Sequence, residues 1–483
     1  MWSFKNISLV CLILLIVGGA NMVSFAQKEV NFENNLVGIW QGKLKFPGIE
    51  LRIVFNISKD PDGSLTATMG SPGQVVTDIP VEEIIFKDNT LHLEIKSAGI
   101  IYEGKAGENF SVVEGELKQS GQVFPLTVKR INETMEILRP QEPKKPYPYI
   151  ERQVEYTNLK AGVKLVGTLT LPSDQGPFPT VLLVSGSGPQ DRNETVFGHR
   201  PFLVLADYLT RQGIAVLRVD DRGVGESTGD FSQATSEDFS SDVLTGVEYL
   251  KTCKEIDLNK IGLIGHSEGG IIAPMVAVES SDIAFIVMMA GTGLTGEEIS
   301  YLQGALISRA MGISEEDIDK NRQFNEKIFS LIKEERDKKT TEEKLRQMFV
   351  ANWAELSEEE KKAIDNLEVY LEAQVQSLLS PWIKFFLTYD PKPTLSKVRC
   401  PVLAINGEKD LQVPPQENLS AIEAALVAGG NKNFTVKELP GLNHLFQTSQ
   451  TGLPAEYAKI EETISPEVLH LVGQWILERT GEK

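Results

Sequence analysis

Five apolar runs in the second part of the chain constrain its fold more than any other feature. They are continuous rather than alternating, and they lie at residues 181–184, 215–219, 261–264, 283–289 and 402–405. A strand buried on both faces has this pattern, whereas a strand with one wet face alternates. Because helix-favouring stretches separate the runs, the chain predicts βαβ units and a mostly parallel central sheet flanked by helices.

This rhythm stops between the fourth and fifth runs. Residues 292–395 are charged and helix-favouring, with stretches such as KEER at 333–336, and they contain no apolar run that is typical of a buried strand. We therefore expect a helical cap that is inserted into an α/β domain. The two parts of that domain are residues 150–291 and 396–483.

Residues 27–140 follow a different pattern. Apolar and polar residues alternate in short runs such as 51–57 and 91–95, which gives each strand one buried face and one wet face. We expect a β-rich antiparallel domain, either a sandwich or a barrel, and GIW at 38–40 is similar to the opening of lipocalin-like barrels. Closely spaced prolines follow, and since they continue neither sheet nor helix, we expect a linker at 141–149.

The first 26 residues have the order of a secretory signal peptide. Lys5 precedes an apolar run at 9–17, and the small residues Ser24 and Ala26 come just before a cleavage site after Ala26. An N-terminal membrane anchor is the alternative, but the run is shorter than the ~20 residues of a spanning helix. We expect cleavage near Ala26, export to the periplasm or the exterior, and no membrane span in the mature chain.

Composition excludes two classes of protein. Hydrophobic residues make up 41% of the 483, enough for packed cores, which excludes a disordered chain. The formal charge of −19 argues against nucleic-acid binding, which needs basic residues to neutralise phosphates. No cysteine and histidine cluster has zinc-ligand spacing, so we expect no metal and no other cofactor. Beyond the signal segment only Cys253 and Cys400 remain, too few for a disulfide framework, and whether they pair stays open.

The sequence GHSEG at 265–269 is the strongest indication of chemistry. It follows the apolar run at 261–264 and precedes a helix-favouring stretch that begins with Gly270. Strand, sharp turn and helix in this order form a nucleophile elbow, which projects the central serine above the sheet. We predict Ser267 as the nucleophile.

A serine hydroxyl needs a base, and the base needs an acid to orient it. In this architecture the acid and then the histidine follow the serine along the chain. His444 lies in a Gly/Asn loop after an apolar run, whereas His470 lies in an amphipathic C-terminal helix, so we predict His444 as the base. Asp410 follows the run at 402–405 and is the predicted acid, with Glu408 as the alternative.

The tetrahedral oxyanion of acyl transfer needs two N–H donors. One is expected from the residue after the nucleophile, Glu268, and the other from the loop after the strand at 181–184. That loop reads SGSGPQDR at 185–192, and Ser187 is the predicted second donor.

These motifs give the chain a resemblance to exported esterases of the α/β-hydrolase superfamily that carry a β-rich N-terminal domain and a helical cap. The resemblance rests on SGSGPQDR at 185–192, DDRGVGES at 220–227, GHSEGG at 265–270, and the loops with Asp410 and His444. It implies an α/β-hydrolase fold and hydrolysis of a small-molecule acyl ester. Acyl and leaving-group preference do not transfer, because this fold hosts many acyl chemistries.

Side chains around the expected site are candidates for substrate contact. An aromatic cluster that includes Trp382 and Phe386 ends the insertion, and caps in this fold usually lie over the nucleophile. Arg192 is the last residue of the loop at 185–192, which we call the oxyanion loop, and it could bind a substrate carboxylate, although pairing with Asp191 is the plainer interpretation.

The predicted function is therefore that of a serine esterase, with three alternatives. A thioesterase or a peptidase would use the same triad on another bond. A prolyl-oligopeptidase-type enzyme would need a large propeller, and the strand-rich region is too short for one. The third alternative, a vestigial hydrolase that binds a lipid or sugar, conflicts with the complete order of serine, acid and histidine.

Overall fold

The computed structural model describes residues 35–46, 49–60, 64–71, 79–107, 109–131 and 138–481. The expected signal segment, residues 1–26, lies outside the described residues. The chain divides into two compact units. The first consists of the described residues up to 131 together with 196–198 and 335–378, and the second consists of residues 138–195, 199–334 and 379–481.

The first unit contains one antiparallel sheet. Its strands are β1 (Gly38–Phe46), β2 (Ile49–Lys59), β3 (Leu65–Gly70), β4 (Ile79–Pro80), β5 (Glu83–Lys87), β6 (Thr90–Ile95), β7 (Ile100–Ala106), β8 (Val112–Gln119) and β9 (Gln122–Ile131). Their order is β4-β3-β2-β1-β9-β8-β7-β6-β5. Because apolar and polar residues alternate along the strands, the apolar side chains lie on one face of the sheet and form a single core. Trp40, Phe55 and Tyr102 are fully buried in this core. The antiparallel, barrel-like domain is confirmed, although β4 and β5 do not pair with each other among the described residues.

The second unit contains the mostly parallel sheet. Its strands are β10 (Ile150–Asn158), β11 (Val163–Leu171), β12 (Phe178–Val184), β13 (Ala215–Val219), β14 (Ile256–His266), β15 (Ile283–Met289), β16 (Val402–Gly407) and β17 (Phe434–Leu439). Their order is β10-β11-β13-β12-β14-β15-β16-β17, and only the pairings of β11 with β10 and β13 are antiparallel. The five continuous apolar runs all lie in β12 to β16, as predicted.

Helices cover both faces of this sheet. Over both units, the α-helices are α1 (Pro201–Arg211), α2 (Ser236–Lys251), α3 (Gly269–Glu279), α4 (Gly296–Ala310), α5 (Glu315–Glu334), α6 (Lys338–Glu355), α7 (Glu358–Lys361), α8 (Leu367–Leu378), α9 (Pro381–Thr388), α10 (Lys392–Leu395), α11 (Pro415–Ala428), α12 (Pro454–Tyr457) and α13 (Pro466–Thr480), with short 3-10 helices at Lys96–Ala98 and Phe231–Gln233. One core packs the sheet against α1 and α13, and a second packs its other face against α2, α3 and α11. This is the α/β-hydrolase fold that the sequence predicts.

The insertion between β15 and β16 is helical as expected, but it does not stay within one unit. Helices α4, α5, α9 and α10 belong to the second unit, whereas α6, α7 and α8 belong to the first. The chain between α7 and α8 joins the β8–β9 hairpin through its main chain: Val123 N–H donates to Ala363 O at 3.0 Å, and Asn366 N–H donates to Gly121 O at 3.0 Å. Gly121 has φ of 75°, and a Cβ there would lie 2.3 Å from Asn366 O. Hydrophobic periodicity predicts a helix but not the sheet against which it packs.

Three kinds of feature are absent from the described residues. No helix there is both long and apolar enough to cross a bilayer. No group of acidic, histidine and cysteine side chains there could hold a metal ion. Cys253 and Cys400 are both free thiols, and burial raises the pKa of Cys400 to about 11. No disulfide between them therefore supports this sheet.

Candidate active site

The turn between β14 and α3 has the geometry of a nucleophile elbow. Ser267 has φ of 52°, a left-handed backbone that is uncommon for a residue with a side chain. A Cβ on Gly265 would lie 1.9 Å from Gly269 O, and a Cβ on Gly269 would lie 2.1 Å from Val184 O. Only glycine fits these two positions. The turn leaves Ser267 partly exposed at the carboxyl end of the sheet, where ligands bind in open α/β folds.

His444 and Asp410 meet at the same edge of the sheet. Asp410 follows β16 and His444 follows β17, and His444 Nδ1 lies 2.8 Å from Asp410 Oδ2. The other carboxylate oxygen of Asp410 accepts the N–H groups of Gln412 and Val413 at 2.8 and 2.9 Å. Both side chains are buried, with 0% of the Asp410 side chain exposed. A carboxylate held in this way fixes the proton on Nδ1 and leaves Nε2 as a proton acceptor.

The two alternatives lie elsewhere. Glu408 is exposed and accepts the Gly441 N–H at 2.8 Å, and His470 is an exposed residue of α13. The elbow and the base loop are close neighbours, because the ring centroids of His266 and His444 are 4.9 Å apart. Among the candidate acids and bases that follow Ser267, the structure brings together Asp410 and His444.

In the loop after β12, the N–H group of Gly186 is hydrogen-bonded, whereas that of Ser187 is free among the described residues. Gly186 N–H donates to Glu194 Oε1 at 2.7 Å, so it is not available to an oxyanion. Within the described residues the N–H groups of Ser187 and Glu268 form no hydrogen bond. The Glu268 N–H also lies at the N-terminus of α3, where the helix dipole stabilises negative charge. The geometry thus leaves the two predicted donors unoccupied, while their role in catalysis stays a prediction.

The Glu268 carboxyl group connects the elbow with α9. It is buried, and its Oε1 accepts Ser236 Oγ–H at 2.5 Å and Trp382 Nε1–H at 2.8 Å. Burial raises the pKa of Glu268, against the effect of these two donors. Trp382 stacks on Phe386 with 4.8 Å between ring centroids, and both rings are partly exposed. One of the two aromatic candidates for substrate contact, Trp382, is therefore bonded to the residue that follows Ser267, and the other, Phe386, stacks on it.

Arg192 is engaged by other partners than the sequence suggested. Its guanidinium binds Asp220 Oδ2 and Glu226 Oε2, each at 2.6 Å, while Asp191 accepts hydrogen bonds from Thr195. The expected pairing of Arg192 with Asp191 is therefore wrong, because Asp220, the residue after β13, binds the guanidinium instead. With two carboxylates on it, Arg192 has little capacity left for a substrate anion.

A small cavity of about 40 Å³ lies behind the oxyanion loop. Ser185, Asp221 and Glu268 are among its lining residues, and its volume is enough for a few water molecules. Asp221 accepts Ser185 Oγ–H at 2.8 Å and Gln190 N–H at 3.0 Å. Burial raises the pKa of Asp221 well above its ordinary value. This carboxyl group fastens both ends of the oxyanion loop, a role that no sequence motif indicates.

His266 and Glu194 form a buried pair that sequence reasoning missed. His266 is buried. Its Nδ1 lies 2.9 Å from Glu194 Oε1 and its Nε2 lies 3.0 Å from His444 O. Burial opposes a charged ring, yet the adjacent Glu194 carboxylate outweighs it and raises the pKa of His266. The two residues are 72 positions apart, and no motif includes Glu194.

A comparison with protein families identifies the family of this chain. The family model described as X-Pro dipeptidyl-peptidase (S15 family) matches residues 161–432, which is more than half of the chain. The chain belongs to the S15 family. The part that matches the S15 model includes Ser267 and Asp410 and ends before His444. Together with its esterase relative, S15 membership makes this chain a serine hydrolase of the α/β-hydrolase superfamily.

Individual relatives of this S15 member are distant. Esterase EstD of Thermotoga maritima is 25% identical over 323 residues, which cover 65% of this chain and 66% of that protein, just under two thirds of its length. An uncharacterised 31.7 kDa protein of Escherichia coli is 26% identical over 281 residues, 57% of this chain and 86% of its own. Among solved structures, an esterase of Pyrococcus furiosus has a TM-score of 0.43 and 17% identity, and the match covers 71% of this chain and 97% of that chain.

Proposed function

We propose that this serine hydrolase cleaves carboxylic esters of small molecules through an acyl-serine intermediate, with Ser267 as the nucleophile, His444 as the base and Asp410 as the acid. The observation that carries the proposal is the 2.8 Å contact of His444 Nδ1 with the buried Asp410 carboxylate, at the sheet edge where the elbow presents Ser267. The esterase relative supports the choice of bond.

The reaction begins when His444 Nε2 accepts the Ser267 proton and the serine oxygen attacks the ester carbonyl. Asp410 keeps the proton of the imidazole on Nδ1 and stabilises the imidazolium that forms. His444 then gives the proton to the leaving alcohol oxygen, and the acyl-serine remains. Water, deprotonated by His444 in the same manner, attacks the acyl carbon. The acyl–serine bond then breaks, His444 returns the proton to the Ser267 oxygen, and the carboxylic acid is released.

The N–H groups of Ser187 and Glu268 are proposed to stabilise the negative charge on the tetrahedral oxygen by hydrogen bonds. Both N–H groups are free of other hydrogen bonds within the described residues. A donor that is already in position needs no reorganisation energy when the charge develops. Removal of one such donor typically costs about 10² to 10³ in kcat.

The acyl or alcohol group is proposed to rest against the stacked rings of Trp382 and Phe386. Trp382 is fixed to the elbow by its 2.8 Å hydrogen bond to Glu268, so the aromatic wall stays close to Ser267. Arg192 is left out of this proposal because Asp220 and Glu226 occupy its guanidinium.

A second candidate is the cleavage of a peptide bond by the same triad. The matching family is named for X-Pro dipeptidyl-peptidase activity, and an amide differs from an ester in needing a protonated amine as leaving group. His444 would supply that proton in the same position in which it protonates an alcohol.

One panel of substrates tests both candidates. The parent protein, Ser267→Ala and the control Ser173→Ala, which removes an exposed serine from a turn, would be assayed on p-nitrophenyl esters, acyl thioesters, lactones and X-Pro p-nitroanilides. Ester hydrolysis that is lost only in Ser267→Ala supports the first proposal. A higher kcat/KM on X-Pro anilides favours the peptidase, and no turnover dependent on Ser267 on any substrate would overturn both.

We also propose that the protein is exported, with cleavage after Ala26. The basis is the order of charge, apolar run and small residues in the first 26 residues. Mass spectrometry of the protein made in its own cells would show an N-terminus at Gln27, and an intact Met1 would contradict export by this route.

A further inference from the structure

We propose that His266 is a permanently protonated imidazolium that positions the catalytic base, because it holds the main-chain carbonyl of His444 while paired with Glu194. The inference rests on the proposed function, since it assigns a positioning residue to that reaction. His266 does not touch the reacting atoms, and it acts on them through the loop that carries the base.

The charge of His266 follows from its two partners. His266 Nδ1 lies 2.9 Å from Glu194 Oε1 and Nε2 lies 3.0 Å from His444 O. A main-chain carbonyl can only accept, so Nε2 must carry a proton. Glu194 Oε1 also receives the Gly186 N–H at 2.7 Å, as expected of a carboxylate oxygen, and so Nδ1 carries a proton as well.

The pair is enclosed by the protein. Glu194 is 3% exposed and His266 is 7% exposed. Charges of opposite sign persist in such a place only when they are paired and their remaining hydrogen-bonding groups are satisfied. Glu194 also has φ of 51°, a left-handed backbone that is held against its intrinsic cost. The local structure is therefore built to keep this carboxylate in place.

The pair joins three segments that must be in register for catalysis. Glu194 Oε1 holds the oxyanion loop through Gly186, His266 itself precedes the nucleophile in the elbow, and its Nε2 holds the base loop through His444 O. His444 is thus fixed at two points: Asp410 holds Nδ1 of its ring, and His266 holds its main-chain carbonyl. Without the second point, the ring can shift relative to Ser267 while it stays bonded to Asp410.

Substitution of His266 by glutamine or by asparagine removes one of its two hydrogen bonds at a time. Glutamine extends its NH₂ to about the position of Nε2, so His266→Gln retains a donor for His444 O and loses the one for Glu194. Asparagine ends near Nδ1, so His266→Asn retains the donor for Glu194 and loses the one for His444 O. His470→Asn, on the exposed face of α13, is the control that removes a histidine outside this network.

We expect His266→Asn to lower kcat on a p-nitrophenyl ester by about 10²-fold, the cost typical of misplacing a catalytic group by about 1 Å. KM should stay close to that of the parent, because the substrate contacts are not altered. His266→Gln should retain more of kcat than His266→Asn, and His470→Asn should match the parent. Equal losses in the two His266 variants, or a parent-like kcat in His266→Asn, would overturn the positioning role.

A readout that needs no turnover tests the charge itself. In protein labelled with ¹⁵N-histidine, one of the five histidines should show both ring nitrogens protonated around neutral pH, and that signal should vanish in both His266 variants. A neutral ring at His266 would refute the imidazolium. Failure of the proposed function is recognised separately, since the parent would then lack Ser267-dependent ester hydrolysis while the ¹⁵N signature of His266 remained.

Discussion

The two sheets differ in what they bury besides hydrocarbon. Among the described residues from 35 to 131, which include the first sheet, no charged side chain is buried. At the carboxyl edge of the second sheet, Glu194, His266, Asp410 and His444 are all buried and hydrogen-bonded to one another or to the main chain. A buried charge is costly unless it is paired, so its presence marks a place where it is needed. We therefore expect the second sheet to carry the chemistry, whereas the first contributes a packed core.

The largest effect that this comparison predicts is at the elbow. Ser267→Ala should lower kcat by about a millionfold, the loss typical of removing the nucleophile from a serine hydrolase. Circular dichroism and the melting temperature should be those of the parent, since Ser267 is partly exposed. Substantial residual turnover by the purified variant would mean that the buried polar groups of this sheet serve another purpose.

Asp410→Asn should come next, with a loss of about 10⁴-fold in kcat. The amide oxygen would stay with the Gln412 and Val413 N–H groups, which turns the NH₂ toward His444 Nδ1. The imidazole would then carry its proton on Nε2 and could not accept one from Ser267. Glu408→Gln is the matched control and should be near the parent in steady-state rate. A loss in Glu408→Gln instead would move the acid to Glu408.

Trp382→Phe should have a smaller effect, and it acts through the buried Glu268. The indole N–H that Glu268 accepts at 2.8 Å would be lost, at a cost of about 1–3 kcal/mol in the free energy of unfolding and with a raised KM for aryl esters. Trp353→Phe in the first unit is the matched control, because the Trp353 N–H has no partner among the described residues. Equal destabilisation by the two substitutions, measured by denaturant unfolding, would contradict a stabilising role of the hydrogen bond from Trp382 to Glu268.

The smallest effect on activity is expected from the first sheet. Trp40 is fully buried and donates Nε1–H to Leu36 O at 2.7 Å. Trp40→Ala should destabilise the first unit by about 3–5 kcal/mol, seen as a shifted transition in calorimetry, while kcat/KM on a soluble ester stays at the parent value. A parallel loss of kcat/KM below that transition would show that the first sheet takes part in catalysis after all.

Much of the second sheet could be predicted because its signals are local. Continuous apolar runs mark strands buried on both faces, and β12 to β16 lie where those runs lie. Gly265 and Gly269 are required at the elbow because a Cβ at either position would lie about 2 Å from a main-chain oxygen. The sequence motif therefore predicts the geometry of the turn directly. Asp410 and His444 followed from chain order after the nucleophile.

What could not be predicted depends on distant partners. Helices α6 to α8 pack with the first unit because the chain between α7 and α8 pairs with the hairpin turn at Gly121, and no periodicity encodes that choice. Arg192 binds Asp220 rather than Asp191, since the loop after β13 passes beside it. The pair of Glu194 and His266 joins residues that only the folded sheet brings together.

Labelling with a fluorophosphonate probe tests the central claim most directly, because only an activated serine reacts. The intact parent protein should gain one equivalent of the probe, on the peptide that contains Ser267, and Ser267→Ala should gain none. Asp410→Asn should label far more slowly at the same residue. A parent protein that hydrolyses esters but carries the probe on another residue, or that does not react at all, would contradict the account.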